Sequence, residues 1–577
     1  MDQTPPSIWK RPLRGPAKLL AWLALLACVS FVAVFCFGSF TDRKTTIAEV
    51  VLVTCAMGAG LLCVRWLRCW RNFRRALFVV VCLITLIALA YAEENWRGKH
   101  AWQSYRRAWE AKGERFDVTA VAPPRVPDEK NFAFTPLLKP AFDFARGPTG
   151  LVWHDTNGLA RLERISADLS SGSDRNSHLA RGSLEKGTFA DLKAYVGFYR
   201  GNTNYPQAGA SATPAETILV ALGKFDPELK ELREAAASRP ACRFPIHYEE
   251  EPPGGILLPH LARIKGLTTL THVRATAELE AGRSAEAFED LKLGLRFSDS
   301  ITNEPLLIDH LVRLASLAID LQTLREGLVR HALTETQLAE LESYLSTLSL
   351  LAEYQFAMRG ERAFGTAGLD FVRRQGFRAD PMDFIGDENG ASASTPPLNA
   401  MPGGWYYQNM LTLSRLHQDF SLPAVDAQAH RVFPEVYENG RLAVGKTPNG
   451  PFNLLAKMIF AAGEKAVVKS ARMQAYVDLA CVACALERCR LANGKLPDAL
   501  DALAPRFIAT VPNDIIDGKP LRYRTSPGGG YRLYSVGWNQ TDDGGETGWS
   551  KKLSSGRDEN EPAVDATKGD WVWGMTD

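Results

Sequence analysis

Hydrophobic positions along this chain follow two regimes. Up to residue 92 they form unbroken runs, and beyond it they recur every three to four residues. Leu19 to Phe40 is 22 residues without a charge. At about 1.5 Å per residue that length covers the roughly 30 Å hydrocarbon core of a bilayer. Ile47 to Leu67 is interrupted only by Glu49 and Arg65 near its ends, and Ala76 to Ala92 is 17 uncharged residues. Three transmembrane helices are therefore predicted, at 19–40, 47–67 and 76–92. A cleaved signal peptide is disfavoured for the first, whose apolar run exceeds the usual ~7–15 residues and is followed by two more spans.

Past the spans, Trp102, Tyr105 and Trp109 fall at i, i+3 and i+7. That spacing lines one helical face with aromatics, suited either to lipid headgroups or to packing on the chain's own outer body. From Phe116 to Arg146 the chain is punctuated by Pro123, Pro124, Pro127, Pro136 and Pro140, which predicts an extended connector laid along a surface. Thr213 before Pro214, with Glu216 three residues on, predicts a capped helix start, and Asp226-Pro227-Glu228 another. Arg243 to Tyr248 alternates as a short strand. Between Gly255 and Arg374 helical periodicity dominates, broken at Gly282, Pro305 and the Thr334 cap, so four or more antiparallel helices are expected. Residues 376–404 read as loop, Trp405 to Phe420 as a helix, and Asn453 to Asn493 as a long helix kinked at Gly463.

These elements give a mainly α chain in six parts: a membrane domain (1–92); a juxtamembrane helix, connector and short helices (93–250); a helical domain (251–375); a loop-rich connector with one helix (376–452); a long helix with a small antiparallel sheet (453–546); and a polar tail (547–577). The length of 577 residues is compatible with this division.

Charge adds a topology. Residues 1–92 carry 11 Lys and Arg against 3 Asp and Glu, leaving 56 against 62 for the remainder. The basic excess sits in two flanks, Lys10, Arg11, Arg14 and Lys18, then Arg65, Arg68, Arg71, Arg74 and Arg75, while the loop between holds only Arg43 and Lys44. Basic flanks stay in the cytoplasm. With three spans the large C-terminal region is then periplasmic, in a multi-pass protein of the bacterial inner membrane. The mildly acidic remainder disfavours phosphate-backbone binding, so no nucleic acid is expected. Of ten cysteines, Cys242, Cys481, Cys484 and Cys489 lie on the oxidising side, and four cysteines allow three full pairings that spacing does not decide. The Cys481-x-x-Cys484 pair falls inside a helical pattern, away from a helix N-terminus that would activate a thiolate, which favours plain burial.

Candidate chemistry is sparse. Gly440 to Thr447 satisfies G-x-x-x-x-G-K-[ST], but a phosphate-binding loop needs a strand before it and a helix after it. Pro434 precedes and Pro448 and Pro451 follow, so an irregular loop and no nucleotide are expected. His247 beside Glu249, Glu250 and Glu251 reads as a solvated acidic strand end rather than a metal site, and His154-Asp155 is equally weak. Neither H-E-x-x-H nor G-x-S-x-G occurs. No catalytic residue is assigned.

Two resemblances add to this. Ala277-Glu278-Leu279, Gly282, Glu286-Ala287-Phe288 and Leu291 resemble one tetratricopeptide unit, which implies a helical hairpin. Leu486 to Pro497, Pro512 to Tyr523 and Tyr531 to Val536 resemble the major pseudopilin of the general (type II) secretion pathway. That resemblance implies a helix stopped at Asn493-Gly494, a short helix over Asp498 to Leu503, a strand pair turning at Gly528 to Gly530, and a terminal loop from Gly537 to Gly545. Calcium binds such loops in that family, and Asp542 and Asp543 hold the matching positions. The layout also resembles a group of uncharacterised bacterial membrane proteins, through Pro127 to Ala133, Arg243-Phe244-Pro245 and Glu304 to Ile308. The expected role is a membrane-anchored extracytoplasmic scaffold or binding protein whose partners are the lipid bilayer and other envelope proteins. The alternatives are a component or regulator of a secretion or pilus-like apparatus, and an envelope hydrolase.

Overall fold

The computed structural model describes residues 70–147, 150–167, 181–375, 401–463, 465–526, 529–550 and 563–575. The stretches 19–40 and 47–67 lie outside them. The chain divides into two units, Met1–Glu94 and Asn95–Asp577. Helix α1 (Trp70–Glu110) begins in the first and ends in the second. Its Phe73–Glu110 portion is long and apolar enough to cross a membrane, the one such helix among the described residues. Leu77, Phe78, Ile84, Leu86, Ile87 and Leu89 on it are all more than half exposed.

The aromatic stripe of α1 turns inward. Trp102 is buried, with Phe116 edge-on at 5.7 Å, and Tyr105 lies 6.3 Å from the same ring. Leu369, Tyr406, Met410 and Leu413 complete that cluster. Of the two uses open to the stripe, packing on the body is the one observed.

The second unit is mainly helical. Helices α2 (Thr156–Ala167), α3 (Leu192–Tyr199), α4 (Pro214–Leu222) and α5 (Asp226–Ser238) share one core with α6 (His260–Glu280). The connector predicted to lie along the surface fills this core instead. It folds as short turns followed by strand β1 (Phe144–Gly147), which pairs with β2 (Gly150–Trp153). Phe132, Ala133, Leu137, Leu138 and Ala141 are essentially inaccessible. The prolines fix the backbone bends, but the apolar residues between them decide which side faces in.

Next come α7 (Ser284–Asp299), α8 (Leu307–Val329), α9 (Glu335–Leu345) and α10 (Leu350–Gln375). The α6–α7 hairpin turns at Gly282, as expected. Thr213 with Glu216, and Thr334 with Gln337, form reciprocal capping boxes at the starts of α4 and α9. Helix α11 (Gly403–Leu416) runs into a π-helical turn at His417–Ser421. A two-residue hairpin, β3 (Val425–Asp426) with β4 (Arg431–Val432), leads to α12 (Pro434–Lys446). The predicted kink at Gly463 is a break between α13 (Leu454–Ala462) and α14 (Ala466–Asn493).

Helix α14 is the axle of the body. Every residue from Met473 to Glu487 is buried, the pattern of a helix enclosed on all sides. Leu479, Val482 and Leu486 share a core with Leu317, Leu321, Leu338 and Leu341 of α8 and α9, and with Leu533 and Trp573 of the C-terminal sheet. Gly494 ends the helix with φ +75°, a left-handed cap that glycine adopts without a Cβ penalty. A 3₁₀ turn at Leu500–Leu503 follows, then β5 (Arg522–Thr525) antiparallel to β6 (Tyr531–Ser535).

The expected polar tail is a correction. Strands β7 (Thr547–Ser550) and β8 (Ala563–Gly569) pair with each other, and β9 (Trp571–Met575) adds to β6 with Trp573 opposite Leu533. Alternation explains it, since Trp571 and Trp573 share one strand face and both are buried.

Candidate functional site

Arg243 to Tyr248, expected as a strand, joins no ladder, and Ile246 N donates to Phe244 O at 2.9 Å in a tight turn about Pro245. Pro245 has no N–H to give, and side chains satisfy the two residues before it. Asn131 accepts from Arg243 N at 2.9 Å and donates to Arg243 O at 2.7 Å, while Phe244 N donates to Glu304 Oε1 at 3.3 Å. This segment presses Phe244 and Tyr248 onto the start of α6 and the turn before α8.

Four titratable side chains meet there. The Tyr248 hydroxyl donates to Glu304 Oε2, and His260 Nε2 lies 3.4 Å from Asp309 Oδ1. All four residues are buried. The His260 ring stacks on Phe244 at 4.1 Å and lies tilted to Phe142 at 5.7 Å. Burial, reinforced by the Asp309 charge, pushes the Glu304 carboxyl up to about 8. Burial alone carries Asp309 to about 7. Burial, with the Arg263 charge second, takes His260 down to about 3, so its imidazole is neutral. The cluster therefore retains carboxyl protons near neutral pH beside a neutral imidazole and a phenol, groups that exchange protons readily.

Phe142 also walls an open cleft of about 210 Å³, together with Phe144, Arg146, Ile246, His247 and Glu250. The charges at its rim answer each other, with Arg146 2.5 Å from Glu250 and donating to Gly255 O at 3.1 Å. Phe142 thus borders both the cleft and the His260 ring. The acidic run beside His247 is divided among partners: Glu249 is 3.6 Å from the exposed His247, Glu250 goes to Arg146, and Glu251 pairs with Arg374 at 2.5 Å. His154 Nδ1 lies 2.7 Å from Asp143 rather than using Asp155, which caps Gly158 N instead.

The raised carboxyls set a pH dependence. A group whose folded pKa exceeds its unfolded value binds more protons when folded, so stability falls as pH rises from the unfolded carboxyl range through the folded value. For Glu304 that window runs from about 4.5 to about 8. Glu304→Gln is expected to flatten the fall in melting temperature between about pH 7 and 8.5. An unchanged slope contradicts the assignment.

At the C-terminal loop, Asp542 and Asp543 point to different partners. Asp542 Oδ1 accepts from Gly544 N at 3.0 Å and from the Tyr534 hydroxyl at 3.1 Å; these bonds hold its pKa below the usual range, the Gly544 amide contributing most. Asp543 Oδ2 accepts from Asn539 at 2.8 Å. The buried organiser is Asp570, which accepts from Asp543 N at 3.3 Å and Gly545 N at 2.6 Å. Among the described residues no group of three or more His, Cys, Asp or Glu side chains is placed to hold a metal ion. Asp570→Ala strands two amides and is expected to cost about 1–3 kcal/mol. Asp542→Ala, at a side chain 44% exposed, is expected to stay within about 0.5 kcal/mol. Urea unfolding of the two variants compares them directly, and equal losses refute the ranking.

The segment matching the phosphate-loop expression is a correction of another kind. Gly440 to Lys446 is helix, not irregular loop, because Pro434 occupies the first turn of α12, where its missing N–H costs nothing. Amides inside a helix are committed to its own carbonyls. Cys242, Cys481, Cys484 and Cys489 are free and buried, and burial pushes the Cys242 thiol up to about 12 and raises the Cys481 and Cys484 thiols as well.

Sequence reasoning missed His260 and Asp309 as site residues. The available signal was a carboxylate at each end of an apolar run, Glu304-Pro305-Leu306-Leu307-Ile308-Asp309. Nothing local placed His260 against it. No protein-family model, curated protein or solved structure matches the chain.

Proposed function

We propose that the protein is a membrane-anchored scaffold or binding protein whose body, Asn95–Asp577, works outside the cytoplasm. The observation that carries this reading is α1 itself. One helix bears a stretch of large aliphatic side chains that are exposed among the described residues, then an aromatic stripe that the body buries. A large aliphatic side chain gains about 1.5–3 kcal/mol on leaving water, which lipid supplies for the first stretch. Arg71, Arg74 and Arg75 precede that stretch and Glu93 and Glu94 follow it, an asymmetry that keeps the preceding side cytoplasmic. With spans at 19–40 and 47–67 before it, the N-terminus is cytoplasmic and the body periplasmic, in a bacterial inner membrane.

Binding rather than catalysis is supported by the burial of all four members of the Tyr248, His260, Glu304 and Asp309 cluster. A second reading, a component or regulator of a secretion or pilus-like apparatus, draws on the helix stopped at Gly494 and the β5–β6 pair that follows it. Alkaline phosphatase fused to the C-terminus of the full chain is expected to be active, and a fluorescent protein that matures only in the cytoplasm to stay dark. The opposite pattern overturns the topology.

A further inference from the structure

We propose that the body carries a second lipid contact, a collar of aromatic and basic side chains around the exit of α1 that sits in the headgroups of the adjacent leaflet. The inference rests on the membrane reading of α1. Trp96 is 68% exposed and stacks on His100 at 5.5 Å. It follows Tyr91 by five residues in one continuous helix. That is about 7 Å of rise, within the zone of roughly 5–8 Å that headgroups occupy on each side of the hydrocarbon.

The body brings further residues to the same place. Asn95 accepts from Gly404 N at 2.7 Å, and Gly98 packs so closely on Gly404 that an added Cβ would come 2.2 Å from its carbonyl oxygen. The first turn of α11 is thereby fixed beside this part of α1. Asn409 and Thr412 of α11 then hold the loop before α13, donating to Pro451 O at 2.7 Å and to Phe452 O at 3.2 Å. The exposed Phe452 ring lies edge-on to Trp405 at 5.7 Å, with the Arg97 guanidinium 5.8 Å from its centroid. Lys457 is held by neutral acceptors, Thr447 O and Asn449 Oδ1, so its charge is not spent on a carboxylate there.

Exposed Trp and Phe interleaved with Arg and Lys is the composition of membrane interfaces, where rings take headgroup depth and cations meet phosphodiesters. A soluble protein partner has no comparable claim on this patch, because the patch begins four residues after the predicted span ends at Ala92.

The test places photoreactive benzoylphenylalanine at Phe452, and separately at Trp96, in the full chain reconstituted in vesicles of phosphatidylethanolamine and phosphatidylglycerol. Ile84, in the apolar stretch, and Leu491, exposed elsewhere on the body, serve as references. Mass spectrometry after irradiation is expected to find phospholipid adducts at positions 452 and 96 several-fold above those at 491. Adducts at 84 with 452 and 96 no higher than 491 overturn the collar and leave the anchor standing. Adducts to a second copy of the chain at 452 also overturn it. Absence of adducts at 84 removes the membrane reading, and the collar with it.

Discussion

Gly360→Val is expected to unfold the body. Gly360 lies where α10 crosses the turn before α8, and a Cβ built there would come 1.6 Å from the Pro305 carbonyl oxygen. That neighbour is backbone and cannot swing aside as a side chain does. Moving the Pro305 turn would drag Glu304 away from Phe244 N and Tyr248. Moving α10 would disturb Arg362, which is fully buried and donates to Glu114 Oε2 at 2.7 Å and to Arg115 O at 2.8 Å. Losses above about 4 kcal/mol come from a short list of causes, and an unrelievable backbone clash in a core is among them. Gly445→Ala is the control, since nothing lies within 4 Å of a Cβ there. Urea unfolding that leaves Gly360→Val within about 1 kcal/mol of the parent refutes the contact.

Arg313→Met is expected to cost about 3–5 kcal/mol, the range for removing one partner of a buried ion pair. The guanidinium is 1% exposed, with Nε 2.8 Å from Glu353 Oε2 and Nη1 3.1 Å from Asp299 Oδ1. Tyr344 donates to Asp299 at 2.7 Å. Burial works against the charge on Arg313, but Glu353 and Asp299 outweigh it and hold the group protonated beyond its ordinary range. Burial already pushes the Glu353 carboxyl up, with Arg313 as its main restraint. Without the arginine that carboxyl rises further and binds a proton in the folded state, so the loss should be larger near pH 8 than near pH 5. Glu353→Gln added to Arg313→Met should recover part of the stability. A double mutant as unstable as the sum of the singles argues against the pairing.

Features written in short stretches of sequence were legible. The capping boxes at Thr213 and Thr334, the α6–α7 hairpin, the break at Gly463 and the stop at Gly494 each depend on residues a few positions apart. What escaped depends on distant partners. The Arg243 to Tyr248 segment loses its ladder to Asn131, 112 positions away, and Tyr248 finds Glu304 across 56. The proline-rich connector looked like surface because its prolines announce themselves locally, whereas the cavity that receives Phe132 and Leu137 is built by helices later in the chain. Strand β9 is five residues long, too short for its alternation to stand out until β6 is beside it. Of the candidate site, the Glu304 segment was singled out only for its resemblance, and its chemistry emerges once α6 places His260 against Asp309.

The pairing of Asn95 with Gly404 has a consequence for biosynthesis. These two residues are 309 positions apart, and Glu114 awaits Arg362 across 248. At roughly 5–20 residues per second, Asn95 leaves the ribosome some 15–60 s before Gly404 is made. Throughout that interval Trp102, Tyr105 and Phe116 have no α10 or α11 to pack on, and in the proposed topology they wait on the far side of the membrane. A cell making this protein would then need a periplasmic holdase for the unpaired aromatic face, and depletion of such factors should lower its yield more than that of an envelope protein whose contacts are local.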